Sequence, residues 1–126
     1  RSECDRLADR IQLPVRMRCG ELPDEIPMST AVCLYRIAQE ALWNAVKHAQ
    51  SEHVELTISA DDESIHLEIR DWGVGFNTDE ANGKAGIGLA SMKERTRLVN
   101  GLFDIKSALG QGTVVAVDVP LPESTL

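Results

Sequence analysis

The sequence predicts an α+β fold, a two-layer α/β sandwich in which helices cover one face of a mixed, mostly antiparallel sheet of about five strands. Several short segments alternate apolar and polar residues and end at turn residues, as strands do. Longer segments repeat apolar residues every three or four positions, as amphipathic helices do. Because 43% of the 126 residues are apolar, we expect residues 1–126 to form one domain with a substantial core.

Three elements are predicted before residue 50. A helical spacing of apolar residues ends at Pro14, and an alternating stretch ends at Gly20. A longer helix follows a cap at Ser29 or Thr30 and is expected to be buried on a wide face. The three segments are Arg1 to Ile11, Val15 to Cys19, and the long helix to about Ala49. The apolar positions of the long helix are Val32, Leu34, Tyr35, Ile37, Ala38, Ala41, Leu42, Ala45 and Val46.

Two hairpins and one helix are predicted after residue 52. The first hairpin turns at Asp61-Asp62-Glu63, and the second turns through Ala108 to Gly112. A helix between the hairpins is expected to end at Gly101, acting as a C-cap glycine. Asn77 to Lys84 is polar and lacks an apolar pattern, which predicts a mobile loop. The strands and the helix are His53 to Ser59, Ser64 to Arg70, Leu89 to Asn100, Leu102 to Ser107, and Thr113 to Val119.

Charge and composition argue against several classes of function. The net charge is −7 at pH 7, so a nucleic-acid backbone would find no broad basic face. No apolar run reaches the roughly 18–20 residues of a membrane span, and no signal-peptide pattern opens the chain. Cys4, Cys19 and Cys33 have no C-x-x-C spacing and are expected to be reduced, buried thiols of a cytosolic protein. From the start at Arg1 we expect the chain to be a fragment of a longer protein.

Four polar side chains share one face of the predicted long helix. Glu40, Asn44, Lys47 and His48 are three or four residues apart, which places them within about two helical turns. A carboxylate, an amide, a cation and an imidazole in this arrangement suit Mg²⁺ and phosphate oxygens, because Mg²⁺ prefers hard oxygen ligands. A solvated polar face on an amphipathic helix is the alternative interpretation.

A glycine loop follows the strand that ends at Arg70. Asp71 stands at the strand end, where its carboxylate can accept a hydrogen bond from the amino group of an adenine. Gly73 and Gly75 let the backbone adopt a positive φ and approach a flat base closely. The segment also fits a plain turn in which the aspartate caps the backbone.

Two further glycine segments complete the pattern. Gly86-Ile87-Gly88-Leu89 opens a helix, whose first amides and positive dipole end can bind an anion, although a flexible hinge is the alternative. Gly110-Gln111-Gly112-Thr113 is either a hairpin turn or a turn that must clear a base. The order and spacing of these four segments favour a nucleotide pocket, and the sequence contains neither a P-loop nor a Rossmann motif.

The four segments together resemble the motifs of bacterial sensor histidine kinases of the nitrate/nitrite-sensor class. The resemblance covers roughly residues 13–121 and implies the ATP-binding catalytic domain of the GHKL superfamily, with the Bergerat fold. The N box, the two glycine boxes and a glycine-threonine element correspond, in that order, to Arg36 to Ala49, Asp71 to Phe76, Gly86 to Leu89, and Gly110 to Thr113.

This resemblance implies a site for ATP and Mg²⁺. Asn44 would be the Mg²⁺ ligand, the two residues Lys47 and His48 would approach the phosphates, and Asp71 would hold adenine. The glycines of the first box would shape the base pocket, and those of the second would end the ATP lid. Glu40 occupies the position of the general base in ATP-hydrolysing members and is the candidate catalytic residue. The implied nucleotide-binding set is Asn44, Lys47, His48, Asp71, Gly73, Gly75, Gly86, Ile87, Gly88, Leu89 and Thr113.

The chain departs from the family pattern in two ways. Trp72 stands where a small polar residue is more usual, and no histidine has the context of a phosphoacceptor. His48 lies in the N box, while His53 and His66 lie at or in strands. We therefore expect a cytosolic kinase domain of a membrane-anchored sensor, without direct contact to membrane or nucleic acid. Its partners would be a dimerisation and phosphoacceptor domain, reached through residues 1–12, and a response regulator.

Two other members of the superfamily are alternatives. An anti-sigma factor with serine kinase activity shares this fold at a similar length, but the residue pattern of the N box favours the sensor kinase. An ATP-hydrolysing module of the gyrase type needs a long lid, and the short stretch between Phe76 and Gly86 argues against it.

Overall fold

The computed structural model describes residues 15–47, 53–75 and 88–122, which form a five-stranded sheet with two helices on one face. The predicted α+β architecture is confirmed. The predicted helix at residues 1–11 and loop at residues 77–84 lie outside the described residues. The elements are β1 (Val15–Cys19), α1 (Met28–Lys47), β2 (Val54–Ala60), β3 (Ser64–Asp71), α2 (Leu89–Leu98), β4 (Leu102–Ala108) and β5 (Gly112–Pro120). Neither described helix combines the length and apolarity that a membrane crossing requires.

The strands lie side by side in the order β1-β2-β3-β5-β4. β1 pairs with β2 in parallel, and every other neighbouring pair is antiparallel. The long helix α1 lies between β1 and β2 in the chain, as expected for a parallel pair, whose connection must return along the sheet. One row of paired residues, here called the terminal row, crosses all five strands at the end where β3 finishes. It consists of Val15, Val54, Asp71, Thr113 and Ser107.

The hydrophobic core lies between the helices and one face of the sheet. β3 and β5 bury every second residue, and β2 buries Val54 and Leu56, which confirms the alternation that predicted these strands. Each fully buried Val, Leu or Ile side chain contributes about 1.5–3 kcal/mol to stability relative to an exposed one. The buried face therefore largely determines the register of the strands. The core residues of the strands are Val54, Leu56, Ile65, Leu67, Ile69, Val115, Val117 and Val119. Those of α1 are Cys33, Leu34, Ile37, Ala38, Ala41, Leu42 and Ala45.

Helix α1 begins before its predicted cap. The carbonyl of Pro27 accepts a hydrogen bond from the N–H of Ala31 at 3.0 Å, so Ser29 and Thr30 lie inside the first turn. The cap prediction is therefore wrong, because the proline carbonyl already supplies the first acceptor. Val32 was included in the predicted apolar stripe but is 44% exposed.

The cysteine prediction holds for only one of the two described cysteines. Cys33 is buried in the core on α1, whereas Cys19 is exposed. Cys19 is the last residue of the edge strand β1, where the sheet offers little cover. Cys4 lies outside the described residues.

Helix α2 ends in a turn that places Asn100, rather than Gly101, in the left-handed conformation. The φ of Asn100 is 60°, and its N–H donates to the carbonyl of Arg97 at 3.0 Å. The N–H of Gly101 donates to the carbonyl of Thr96 at 2.9 Å, which completes a Schellman motif. The predicted cap is thus displaced by one residue. Gly101 is needed for space, since a Cβ there would lie 2.8 Å from the carbonyl oxygen of Asp118.

Candidate functional site

The terminal row changes from apolar to polar halfway across the sheet. Val54 is followed by Asp71, Thr113 and Ser107, and the exposed fractions of Asp71 and Thr113 are only 6% and 7%. The next row on the same face is wholly apolar and consists of Met17, Leu56, Ile69, Val115 and Ile105. Carboxylates and hydroxyls are seldom buried without partners, so this end of the sheet is the candidate site.

Asp71 is the last residue of β3, as the sequence predicts, and backbone amides hold its carboxylate. The N–H of Gly73 donates to Oδ1 at 2.9 Å, and the backbone of Thr113 also donates to the carboxylate. Burial outweighs these two hydrogen bonds and raises the pKa of Asp71 above its ordinary value. A carboxylate has about four acceptor positions, so two amides leave capacity for a ligand. The turn and pocket interpretations of this aspartate are therefore compatible.

Thr113 and Ser107 are joined by a short hydroxyl–hydroxyl contact. Ser107 Oγ lies 2.7 Å from Thr113 Oγ1 and 3.0 Å from the carbonyl oxygen of Gly112. Sequence reasoning identified Thr113 and missed Ser107. The sequence signal for Ser107 is its position in the hairpin, directly before the segment Ala108 to Gly112, as Thr113 is directly after it. The pairing of Ser107 with Thr113 follows only when the exact strand register is known.

Two glycine segments that are far apart in the sequence pack backbone against backbone. Gly75 has a φ of 67°, and a Cβ there would overlap the carbonyl oxygen of Ala108. Gly112 has a φ of 78°, and a Cβ there would overlap the carbonyl oxygen of Asp71. The N–H of Gly110 donates to the carbonyl of Val74 at 2.6 Å. The first glycine box and the β4–β5 turn therefore form one continuous wall.

Gly73 differs from its prediction. The glycines with positive φ among the described residues are Gly75, Gly88, Gly110 and Gly112, and Gly73 is not one of them. Its N–H instead caps Asp71, so the positive φ expected at both glycines of the first box occurs only at Gly75.

Helix α1 and the start of α2 meet at Glu40. Gly88 precedes α2 with a φ of 79°, and a Cβ there would overlap the Glu40 carboxylate. Asn44 lies one turn further along α1, and its Oδ1 atom is buried. Only six residues separate α1 from the start of β2 in the terminal row, so the C-terminal half of α1 lies toward the polar end of the sheet.

The structure describes only some of the remaining predicted site residues. Leu89 is buried in the hydrophobic core, so only its backbone could face a ligand. The backbone of Lys47 ends α1, whereas its side chain and residues His48, Gly86 and Ile87 lie outside what the structure describes. Their assignment to nucleotide binding stays a prediction.

Trp72 lies at the rim of this end of the sheet, next to Asp71 in the chain. It is 44% exposed and stacks on His53, with ring centroids 4.5 Å apart and planes 20° apart. The Arg70 guanidinium carbon lies 5.4 Å from the Trp72 ring centroid, which is a cation–π distance. Trp72, the unusual residue of the first glycine box, thus lies half-exposed on the surface, while the neighbouring Asp71 is buried.

The family model that describes histidine kinase-, DNA gyrase B- and HSP90-like ATPases matches residues 30–123. Two relatives are the oxygen sensor histidine kinase NreB of Staphylococcus carnosus, 41% identical over 90 residues, and the signal transduction histidine-protein kinase/phosphatase DegS of Bacillus subtilis, 37% identical over 114 residues. The alignments cover 71% and 87% of this chain but only 26% and 30% of the relatives. The chain therefore spans less than a third of the length of either relative.

Solved histidine kinases share the fold. A histidine kinase domain from the Erythrobacter litoralis EL346 blue-light activated histidine kinase gives a TM-score of 0.77 at 21% identity, over 93% of this chain and 57% of that chain. The Acinetobacter baumannii histidine kinase AdeS gives 0.73 at 14% identity, over 97% and 61%. The family model matches most of the sequence, and the relatives that align with the chain are histidine kinases. This chain therefore belongs to the family of histidine kinase-, DNA gyrase B- and HSP90-like ATPases.

Proposed function

We propose that this chain is the ATP-binding domain of a two-component sensor histidine kinase. It binds Mg·ATP and donates the γ-phosphate to a histidine on a separate dimerisation domain, for relay to a response regulator. The observation that carries the proposal is the buried Asp71 carboxylate, which lies beside Thr113 and next to the packed backbones of Gly75 and Gly112 within the family-matched range. Both relatives are histidine kinases, which favours this function over an anti-sigma factor serine kinase.

The pocket suits an adenine base. Asp71 offers a buried acceptor to the exocyclic amino group, and a guanine would place its carbonyl oxygen against the same carboxylate. Gly75 and Gly112 allow the first glycine box and the β4–β5 turn to pack backbone against backbone beside Asp71, because the other loop fills each direction that a Cβ would take. The flat base is proposed to lie against this paired backbone.

The polar face of α1 suits the phosphates and Mg²⁺. The amide oxygen of Asn44 is a hard ligand of the kind Mg²⁺ accepts, and Lys47 and His48 are the proposed phosphate contacts. When bound, Mg²⁺ would neutralise charge on the phosphate oxygens during transfer. Glu40, held against Gly88 at the start of α2, is the proposed group that takes the proton from the attacking imidazole.

The acceptor histidine is proposed to come from another domain. Phosphoryl transfer needs the acceptor nitrogen in line with the γ-phosphate. Of the described histidines, His53 stacks on Trp72 at the rim, and His66 is bonded to Asp61 and Asp118. We therefore expect the chain alone to bind Mg·ATP without phosphorylating itself.

Incubation with radiolabelled ATP tests this division of labour. The chain alone should remain unlabelled, and addition of a dimerisation domain with its histidine should produce an acid-labile, base-stable phosphate on that domain. Asn44→Ala serves as the control that should lose the label. An acid-labile phosphate on the chain alone, lost in His48→Gln, contradicts the proposal. A stable complex with a sigma factor in a pull-down would favour the serine-kinase alternative.

A further inference from the structure

We propose that Ser107 is a positioning residue that fixes the Thr113 hydroxyl as a hydrogen-bond acceptor and thereby strengthens the preference of the pocket for adenine over guanine. The inference rests on the proposed function, since it requires that Asp71 and Thr113 face the base. It concerns a residue on the edge strand β4 that does not itself need to touch the nucleotide.

The inference assigns one direction to each hydrogen bond of Ser107. A serine hydroxyl has one proton, and Ser107 Oγ lies 3.0 Å from the carbonyl oxygen of Gly112, which can only accept. The inference assigns the Ser107 proton to Gly112. Either hydroxyl could donate across the 2.7 Å contact, and donation from Thr113 to Ser107 is the direction that lets both short contacts be hydrogen bonds. Thr113 Oγ1 keeps only lone pairs for the pocket.

This polarity matters because Thr113 is next to Asp71. The two residues are register partners on the buried face, and the Thr113 backbone donates to the Asp71 carboxylate. An ionised carboxylate also only accepts, so both side chains present acceptors to a ligand. An exocyclic amino group has two N–H donors for such a pair, whereas the guanine carbonyl meets acceptors only.

Removing Ser107 should release the Thr113 hydroxyl. In Ser107→Ala the threonine proton has no serine acceptor, so the hydroxyl can rotate and donate to the guanine carbonyl. We expect GTP binding to tighten roughly fivefold to tenfold, the effect of one added hydrogen bond, while ATP affinity changes by less than about threefold. General damage to the pocket would weaken both nucleotides, so a gain in GTP affinity is specific to the proposed role.

Calorimetric titration with Mg·ATP and Mg·GTP tests this on the full chain. Ser107→Thr keeps the hydroxyl and should keep the wild-type ATP-to-GTP affinity ratio. Ser107→Cys is a near-isosteric variant with a weaker hydrogen-bonding group, and its ratio should fall between those of the wild type and Ser107→Ala. Ser59→Ala, which removes a half-buried serine hydroxyl from β2, is the matched control and should leave the ratio unchanged. In a Thr113→Val background, Ser107→Ala should have no effect on the ratio.

The outcomes separate this inference from the proposed function. A wild type that binds neither nucleotide, or binds both equally, overturns the adenine pocket and the role of Ser107 together. A wild type that prefers ATP, with an unchanged ratio or an equal loss of both nucleotides in Ser107→Ala and Ser107→Cys, overturns only the role of Ser107. A lowered ratio that depends on Thr113 supports the inference.

Discussion

Asp71 is the single residue on which the proposed base selectivity depends. Replacing it by asparagine exchanges one acceptor for a donor, which can pair with the guanine carbonyl. We expect Asp71→Asn to weaken ATP binding by about 1–3 kcal/mol and to abolish the preference over GTP. Calorimetry with both nucleotides measures this, with Asp61→Asn in the remote hairpin turn as the control. Undiminished ATP preference in Asp71→Asn would remove the residue from base recognition.

Asn44 is the proposed Mg²⁺ ligand, so the Mg²⁺ dependence of ATP binding should change when it is replaced. Asn44→Ala removes the amide oxygen while keeping a good helix former on α1. We expect the affinity for Mg·ATP to fall by about 1–3 kcal/mol, the cost of a lost polar contact to a charged group. Titrations with Mg²⁺ and with a chelator check the assignment, because the variant and the wild type should bind metal-free ATP alike. Equal affinities in the presence of Mg²⁺ would refute it.

At the scale of the elements, the turn after α2 separates two roles for neighbouring residues. Asn100 occupies the left-handed position, so Asn100→Gly should keep or slightly raise stability. Gly101→Ala should lower it by about 1–3 kcal/mol, because the added Cβ meets the Asp118 carbonyl and Thr96. Urea unfolding of both variants gives the comparison. The reverse order of stabilities would place the cap at Gly101 after all.

The β2–β3 hairpin carries a pH-dependent clamp on the outer face. The hydrogen bonds that His66 donates to Asp118 and to Asp61 raise the pKa of His66. The bond from His66 and those from the N–H groups of Glu63 and Ser64 lower the pKa of Asp61 to about 2. The His66 contribution to stability is complete below its ordinary pKa of 6.5 and is lost as the pH rises through the raised pKa. The Asp61 contribution is present above 3.8 and is lost as the pH falls toward about 2.

We therefore expect His66→Gln to be less stable than the wild type near pH 5 and to approach it as the pH rises above the raised pKa of His66. Both partners are largely exposed, so the difference should be small and should shrink with added salt. Thermal unfolding across this pH range measures it, and Glu63→Gln is the control in the same turn. Parallel pH profiles for His66→Gln and the wild type would exclude the clamp.

At the scale of the whole molecule, nucleotide binding should stabilise the fold cooperatively. The proposed site draws on β3, α1 and the β4–β5 turn, so one ligand connects elements from most of the chain. Mg·ATP at 100 times its Kd should add about 2.7 kcal/mol to the free energy of unfolding. A shift of the thermal midpoint with ATP concentration measures this, and Asp71→Asn should show a smaller shift than the wild type at the same concentrations. A midpoint that ignores ATP would disprove binding to the folded chain.

The sequence predicted those parts of the fold and the site that local patterns determine. Alternation set the central strands, helical spacing set α1, and Asp71 was recognised from its place before a glycine loop. The position of Ser107 beside Thr113 could not be predicted from the sequence, because it depends on the register that pairs β3 with β5 and β5 with β4. The cap after α2 was displaced by one residue because asparagine and glycine both tolerate the left-handed conformation.

The contact between the first glycine box and the β4–β5 turn has a consequence for protein engineering. A hairpin turn is ordinarily where a chain accepts a tag, a linker or a new terminus. Here Gly110 is bonded to Val74, and the turn backbone occupies the space beside Gly75, so added residues would separate the two loops. The exposed turn at Asp61 to Glu63 lies at the opposite end of the sheet. A reporter domain or a split point therefore belongs in that remote turn, where an insertion leaves the pocket wall intact.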